Sequence, residues 1–467
     1  MRLTRAILSF TLIACATHVF AHHTKEHAAA KAPAKTTFAP VTYKHRVLPN
    51  GLAVYSVADR TTPTVAIQVW YRVGSKDDPA GRSGFAHLFE HMLFKSTKNM
   101  PSEMMDRLTE DIGGENNATT LDDATVYFEV VPSNYLETLL WAEADRMASL
   151  NVDQPTFNSE RDVVKEEFRA RILAPPYGRL FYAMTTNSFS AHPYKRPGIG
   201  SMEDLDAATI DDVRKFHSTF YRPDNAVLIV AGDFEQQQLD AWIDKYFTPV
   251  PKPSDAIPRV TVKEPKRTET KRVTERAPNV PLPGFAMTWH IPAAWSDDVA
   301  ALSVLSTILG EGESSRLYQS LVYKSQVATD ISVGTDLHED LGLFIALGVM
   351  ASGHEPSEAQ KLVLDEIGAL KTKLVTAPEL EKAKNLIITA ALRERETNEG
   401  KAFALGDAIV LRRDPNAINT WLSKIQAVTA TDVQKVLKKY LADGKPMVLT
   451  YLAAEEPKAP AAEGGSK

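Results

Sequence analysis

One pattern of twenty-two residues occurs twice in this chain, and the repetition limits the fold more than any other feature. "TIDDVRKFHSTFYRPDNAVLIV" starts at Thr209 and "TATDVQKVLKKYLADGKPMVLT" at Thr429, so the copies lie 429 minus 209, or 220, residues apart without a gap. In each copy a Thr precedes an Asp by three residues, an N-terminal helix signature, and an amphipathic run then leads through a turn into an apolar strand. A duplication of this length in a chain of 467 residues predicts two similar domains rather than one large core. Strand patterns such as "TVAIQVWYRV" and "TVYFEVV" stand beside long helical ones, so each half is expected to be α+β, with helices packed on a sheet. The Pro- and Lys-rich stretch "PVPKPSDAIPRVTVKEPK" separates the halves. The boundaries drawn are an N-terminal domain over 42–248, a linker over 249–267 and a C-terminal domain over 268–455.

The ends of the chain read differently. "MRLTR" followed by "AILSFTLIACATHVF" has the charge, apolar run and small-residue end of an export signal over 1–21, cleaved after Ala21. That run is too short to span a membrane, and no other segment reaches spanning length. "LIAC" at 12–15 also fits a lipoprotein box in which Cys15 is acylated, so two routes of processing stay open. Cys15 is the single cysteine, and cleavage after Ala21 leaves a mature chain without thiol or disulfide chemistry. Either route places the protein in the periplasm or outside the cell. Residues 22–41, with His22, His23 and His27, read as a flexible leader, and 456–467 as a disordered tail. A formal charge of −6 without a basic excess argues against nucleic acid or an anionic membrane surface as the main partner.

The chemistry concentrates in "GFAHLFEHMLFKST" at 84–97. On a helix His87 and His91 are i and i+4, and Glu90 is i+3 from His87, so the three project from about one face. Phe85, Leu88, Phe89, Met92, Leu93 and Phe94 fill the other directions and predict an enclosed helix. Two imidazoles and a carboxylate inside such a helix cost several kcal/mol unless a cation compensates them. H-x-x-E-H is the inverse of the better known zinc-protease helix motif. His87 and His91 suit two sides of a tetrahedral zinc, and Glu90 is left free to act as a base.

A third ligand is sought on "FNSERDVVKEEFRARIL". At about 100° per residue, Glu160 and Glu167 are seven apart and share one stripe with Val163, Val164 and Phe168. Glu166 falls away from it. Glu167 is therefore the expected ligand, with Glu160 one layer removed as an accessory carboxylate that orients a ligand histidine or tunes the water.

Taken together, "GFAHLFEHMLFKST", "GGENNATTLDDATVYFEVV", "SERDVVKEE" and "HPYKRPGIGSMEDL" resemble the pitrilysin and insulinase family of zinc metallopeptidases, including its short bacterial type and the mitochondrial processing peptidase. The resemblance covers nearly all of the mature chain. It implies two homologous domains, each a mainly antiparallel sheet with helices, closing like a clam around a chamber in which peptides are cut. It also implies one zinc per chain on His87, His91 and Glu167, with Glu90 as catalytic base and Glu160 assisting. Asn117, Ala118 and Thr120 match the family element on a sheet edge where an extended substrate peptide adds as a strand. Tyr127 is expected to be core.

The second half departs from the family pattern. Its helix around "VAALSVLSTILGEGESSRLYQSLV" carries no metal motif. Where solitary members hold an Arg and, seven residues later, a Tyr, this chain has Val322 and Thr329, and Arg316 and Tyr318 do not replace them. The expected protein is the zinc-bearing subunit of a pair whose second family subunit supplies Arg and Tyr, or else a homodimer. Competing expectations are a non-catalytic family scaffold and a periplasmic zinc carrier.

Overall fold

The computed structural model describes residues 37–455. The export signal, Cys15, the leader histidines and the tail at 456–467 lie outside the described residues.

Two sheets organise the chain. The first contains β1 (Lys44–Val47), β2 (Ala53–Ala58), β3 (Thr64–Tyr71), β4 (Glu115–Thr120), β5 (Thr125–Pro132) and β6 (Ala226–Gly232), in the spatial order β1-β2-β6-β3-β5-β4. The second contains β7 (Lys271–Ala277), β8 (Gly284–Pro292), β9 (Ala328–Asp336), β10 (Leu341–Met350) and β11 (Met447–Ala453), in the order β7-β11-β8-β10-β9. Each sheet has one parallel pair, β2 with β6 and β7 with β11, and is otherwise antiparallel. Apart from β1 the two orders are the same, strand for strand. The fold is thus the duplicated α+β architecture that the repeated sequence predicts, with the mainly antiparallel sheets that the family resemblance implies.

The repeat units themselves behave alike. Thr209 and Thr429 each cap a helix, Ile210–Phe220 and Ala430–Val436, through reciprocal hydrogen bonds with Asp212 and Asp432. Each helix leads to a strand, β6 or β11. All seven residues of β6 are buried, and so is nearly all of β3, which requires cover on both sheet faces.

One face of each sheet is covered by its own half and the other by a helix from the opposite half. Helix Gly178–Ser188 places Leu180 and Ala183 against Ala286, Met447 and Leu449 of the second sheet. Helix Asn398–Val410, whose start lies 398 minus 178, or 220, residues further on, places Ala402, Leu405 and Ile409 against Trp70, Val227 and Ile229 of the first. The exchange is reciprocal, so separating the halves would expose an apolar sheet face on each. All strands of the first sheet fall within 42–248 and all of the second within 268–455, but the cores cross that division.

Residues 249–267 contain no helix or strand, and they are tied down. Arg222 donates to the carbonyls of Pro253 and Asp255, and Glu264 accepts from the backbone N–H groups of Ser190, Ala191 and His192. The expectation of a flexible leader through residue 41 fails at its end. Val41 is fixed by both backbone groups to Asn419 and packs with the core that contains Trp70.

Candidate metal centre

The H-x-x-E-H motif lies on a short helix, Phe85–Met92, buried along most of its length. Its start is held from several sides. Asp78 accepts from the N–H groups of Gly84 and Ala86 at 2.7 and 2.9 Å, satisfying donors that a helix N-terminus leaves free. Gly84, at φ +97°, meets Gly200, at φ +84°; a β-carbon on Gly200 would stand 2.4 Å from the Ser83 carbonyl oxygen. The segment "HPYKRPGIGSMEDL" performs this bracing. Arg196 donates to the carbonyls of Lys76 and Asp78, and Asp204 accepts from the Ser83 N–H.

The second contributor is helix Gln154–Phe168, started by the Asp153 side chain on the Thr156 N–H. Its buried stripe is Phe157, Glu160, Val164 and Phe168. Val163, expected in that stripe, is 46% exposed, because the contact is narrower than the face drawn from the sequence. Glu160 and Glu167 do face the motif helix. A π-helical turn, Arg169–Leu173, follows and returns Arg171 to Glu167, with Nη1 2.6 Å from Oε1.

Three donor atoms converge, one each from His87, His91 and Glu167, all within 4.8 Å of one another. Glu167 Oε2 lies 3.6 Å from His87 Nε2 and 3.4 Å from His91 Nε2. Those separations are long for hydrogen bonds. They fit donors about 2.0–2.2 Å from one tetrahedral zinc, which stand roughly 3.4 Å from each other. On its other side, His91 Nδ1 is 3.6 Å from Glu160 Oε2, and Glu160 is also paired with Lys95 at 3.2 Å. Buried His87 Nδ1 has no hydrogen-bond partner. Among the described residues this is the one group of three or more His, Cys, Asp or Glu side chains so placed.

The electrostatics show a site that gathers positive charge. Burial and the neighbouring His91 push the His87 pKa down to about 4, leaving a neutral imidazole of the kind that ligates metal. Burial works against charge on His91 too, but Glu160 and Glu167 outweigh it and raise its pKa to about 9. For Glu167 burial is likewise outweighed, here by His91, His87 and Arg171, and its pKa falls to about 2. Burial raises that of Glu90, with the Thr120 hydroxyl opposing it. Glu160 and Glu167 draw a proton onto His91, and a divalent cation on the three donors would take the place of that proton's charge.

Edge strand β4 brings the remaining predicted residues alongside. Thr120 Oγ1 donates to Glu90 Oε2 at 2.5 Å, so its side chain touches the carboxylate. Ala118 faces the same side as Tyr127, which is fully buried with its hydroxyl 3.4 Å from the Phe89 carbonyl oxygen. Asn117 faces the opposite side, and its Oδ1 accepts from the Ala118 N–H. Arg171, Lys95 and Asp78 were not identified from the sequence; the seven-residue spacing of Glu160 and Glu167 gives no cue to partners beyond the helix.

The duplicate offers no second centre. Helix Val299–Gly310 contains no His, Asp or Glu. Val322 packs into the second core, and the Thr329 hydroxyl donates to the Val349 carbonyl. Arg316 is engaged by Glu379 at 2.7 Å and Glu366 at 3.7 Å.

Comparison with known proteins agrees with this architecture. Residues 53–200 match the family model described as Insulinase (Peptidase family M16), and residues 207–387 the one described as Peptidase M16 inactive domain. Zinc protease PqqE of Helicobacter pylori is 32% identical over 402 residues, 85% of this chain and 89% of that protein. A probable mitochondrial-processing peptidase subunit beta of Arabidopsis thaliana is 25% identical over 85% of this chain and 76% of its own length. The crystal structure of a protease from Helicobacter pylori superimposes with a TM-score of 0.85 at 30% identity, covering 88% of this chain and 99% of that one.

Proposed function

The chain belongs to the M16 (insulinase) peptidase family, and we propose that it is a zinc-dependent endopeptidase acting on peptides or small unfolded proteins. The observation that carries this reading is the convergence of His87, His91 and Glu167 donors beside the buried carboxylate of Glu90. Zinc in such a site supplies a Lewis acid that activates water and polarises a carbonyl at neutral pH.

The chain's own groups do the rest. Glu90 takes the proton from the attacking water and returns it to the leaving amine. Burial, by raising its proton affinity, suits it to both transfers. The Thr120 hydroxyl fixes which way the carboxylate faces. Glu160 acts through His91, orienting that ring from its Nδ1 side, and Arg171 holds the free oxygen of Glu167. Edge strand β4, with Asn117, Ala118 and Thr120, receives the substrate as an added strand, so backbone pairing supplies affinity without demanding a sequence.

One zinc per chain is supported by the second half, whose helix Val299–Gly310 carries no donor set. The absence of an Arg and Tyr at Val322 and Thr329 supports a two-subunit peptidase whose second family member supplies them, with a homodimer as the other arrangement. No helix of the described residues is long and apolar enough to cross a membrane. With the export signal read from residues 1–21, this supports a periplasmic or secreted enzyme, Cys15 acylation being the alternative anchor.

The test is a zinc titration of the purified chain, alone and together with a second family subunit from the same source, with a fluorogenic peptide mixture. Chelation should abolish cleavage, and one equivalent of zinc should restore it. Cleavage that survives complete removal of metal would refute the reading.

A further inference from the structure

Where the end of β3, the segment between the halves and the β9–β10 turn meet, the chain forms a polar cavity of about 290 Å³. That is just under the range of roughly 300–1,000 Å³ typical of ligand pockets, a size for a small ion and its water rather than for a peptide. Four cationic side chains line it, Arg72 and Lys76 from the first half, Arg259 from residues 249–267 and Arg413 from the second half. Against them stand three acids, Asp123, Glu339 and Asp340.

The acids have other partners. Asp123 accepts from Lys76 Nζ at 2.7 Å, the Tyr194 hydroxyl at 2.6 Å and the Glu339 N–H at 2.9 Å. Glu339 accepts from Lys76 at 2.6 Å through Oε2 and from Arg413 at 3.0 Å through Oε1. Asp340 lies 3.4 Å from His192 Nε2 and 3.6 Å from Arg413.

Lys76 and Arg413 are thereby neutralised, and the other two cations are not. Arg259 donates only to uncharged oxygens, the Arg72 carbonyl at 2.9 Å and Asn225 Oδ1 at 2.6 Å. The guanidinium of Arg72, half-buried, has no hydrogen bond and no acid within 4.0 Å among the described residues. Burial pushes its pKa down, Glu339 opposes this, and Arg259 and Arg413 add to it. Two like charges held side by side, partly withdrawn from water and without an acid of their own, are unfavourable until an anion joins them. Guanidinium forks present paired N–H donors that match the oxygens of phosphate or carboxylate.

We propose that this cavity is a binding site for a small oxyanion, phosphate or carboxylate, held between Arg72 and Arg259. None of its lining residues is a predicted metal ligand or base. Binding there requires neither zinc nor peptide cleavage, so it is independent of the endopeptidase reading.

The test is isothermal titration calorimetry on the full chain, loaded with zinc, at fixed ionic strength in chloride. Inorganic phosphate and succinate are the two probes. At least one should bind one-to-one with a Kd below about 1 mM. Tighter phosphate identifies a tetrahedral oxyanion, and tighter succinate a carboxylate. Arg72→Gln and Arg259→Gln should each weaken that binding by about 10- to 100-fold, as loss of a hydrogen bond between charged groups does. Arg107→Gln, which removes the same charge from an exposed position of the first half, should leave it unchanged. Circular dichroism shows whether each variant is folded, and Arg259, whose side chain is exposed, decides the matter if Arg72→Gln unfolds. Absence of saturable binding by both probes, or binding that survives both substitutions as an anion on zinc would, overturns the site. So does an equal loss in Arg107→Gln, the mark of a diffuse charge effect.

Discussion

The hydroxyl of Thr120 lies 2.5 Å from Glu90 Oε2, joining edge strand β4, the proposed substrate strand, to the helix that carries the proposed base. A hydrogen bond to a charged group is worth about 1.5–3 kcal/mol. Thr120→Val should therefore lower kcat by roughly 10- to 100-fold while zinc stays bound, and Thr120→Ser should recover most of the loss. Steady-state kinetics with metal analysis decide it; a Val variant at full rate would remove Thr120 from the machinery.

Arg171 Nη1 pairs with Glu167 Oε1, the oxygen that does not face the histidines. Partners of metal ligands typically contribute 10- to 100-fold to metal affinity. Competition with a chromophoric chelator should show zinc affinity falling by about that factor in Arg171→Ala, with the thermal transition little changed. Unaltered affinity would make the ion pair incidental.

Gly200 touches the start of the motif helix where no side chain fits. Gly200→Ala would place a β-carbon 2.4 Å from the Ser83 carbonyl oxygen at a φ of +84°. The expected cost is about 1–3 kcal/mol, read from the thermal or urea midpoint, with weaker zinc binding because Gly84 and the helix behind it must shift. A variant with unchanged midpoint and zinc affinity would show the bracing to be dispensable.

His338 ties the halves together through charge. It is buried, with Nε2 3.1 Å from Asp336 and Nδ1 3.4 Å from Asp122 of the first half. Burial disfavours its protonation, but Asp336, Asp122 and Asp123 outweigh this and raise its pKa to about 9. A pKa raised above the unfolded value of about 6.5 gives stability that is complete below that pH and lost as pH rises through about 9. The unfolding free energy, read from urea denaturation, should thus fall between pH 6.5 and 9 by an amount on the order of 2–3 kcal/mol, and His338→Gln should flatten this slope. A pH-independent unfolding free energy in the parent chain would contradict the assignment.

Much of this arrangement is legible in the sequence, and what is not has physical causes. His87, Glu90 and His91 declare themselves because a helix places i, i+3 and i+4 together whatever surrounds it. Glu167 follows from its seven-residue spacing to Glu160, which is nearly two turns. Val163 is exposed against expectation because periodicity gives a direction but not the width of the contact, and the helix is covered only along a narrow stripe. The pairing of Arg171 with Glu167 depends on a π-helical turn, which has no sequence signature. Gly84 against Gly200 and Thr120 against Glu90 are tertiary approaches across 116 and 30 residues of chain, counted as 200 minus 84 and 120 minus 90. The duplication predicted two like sheets from Thr209 and Thr429. It could not reveal that helices Gly178–Ser188 and Asn398–Val410 each cover the other half's sheet, because an amphipathic pattern identifies an apolar face without naming what covers it.

The account stands most directly on Glu90→Gln, assayed for zinc content and peptide hydrolysis in one preparation. Removing the base while leaving His87, His91 and Glu167 intact should preserve one zinc per chain and reduce hydrolysis by about 10²- to 10⁴-fold. Hydrolysis at the parent rate, or zinc lost together with the carboxylate, would contradict the division of labour between the three ligands and the base.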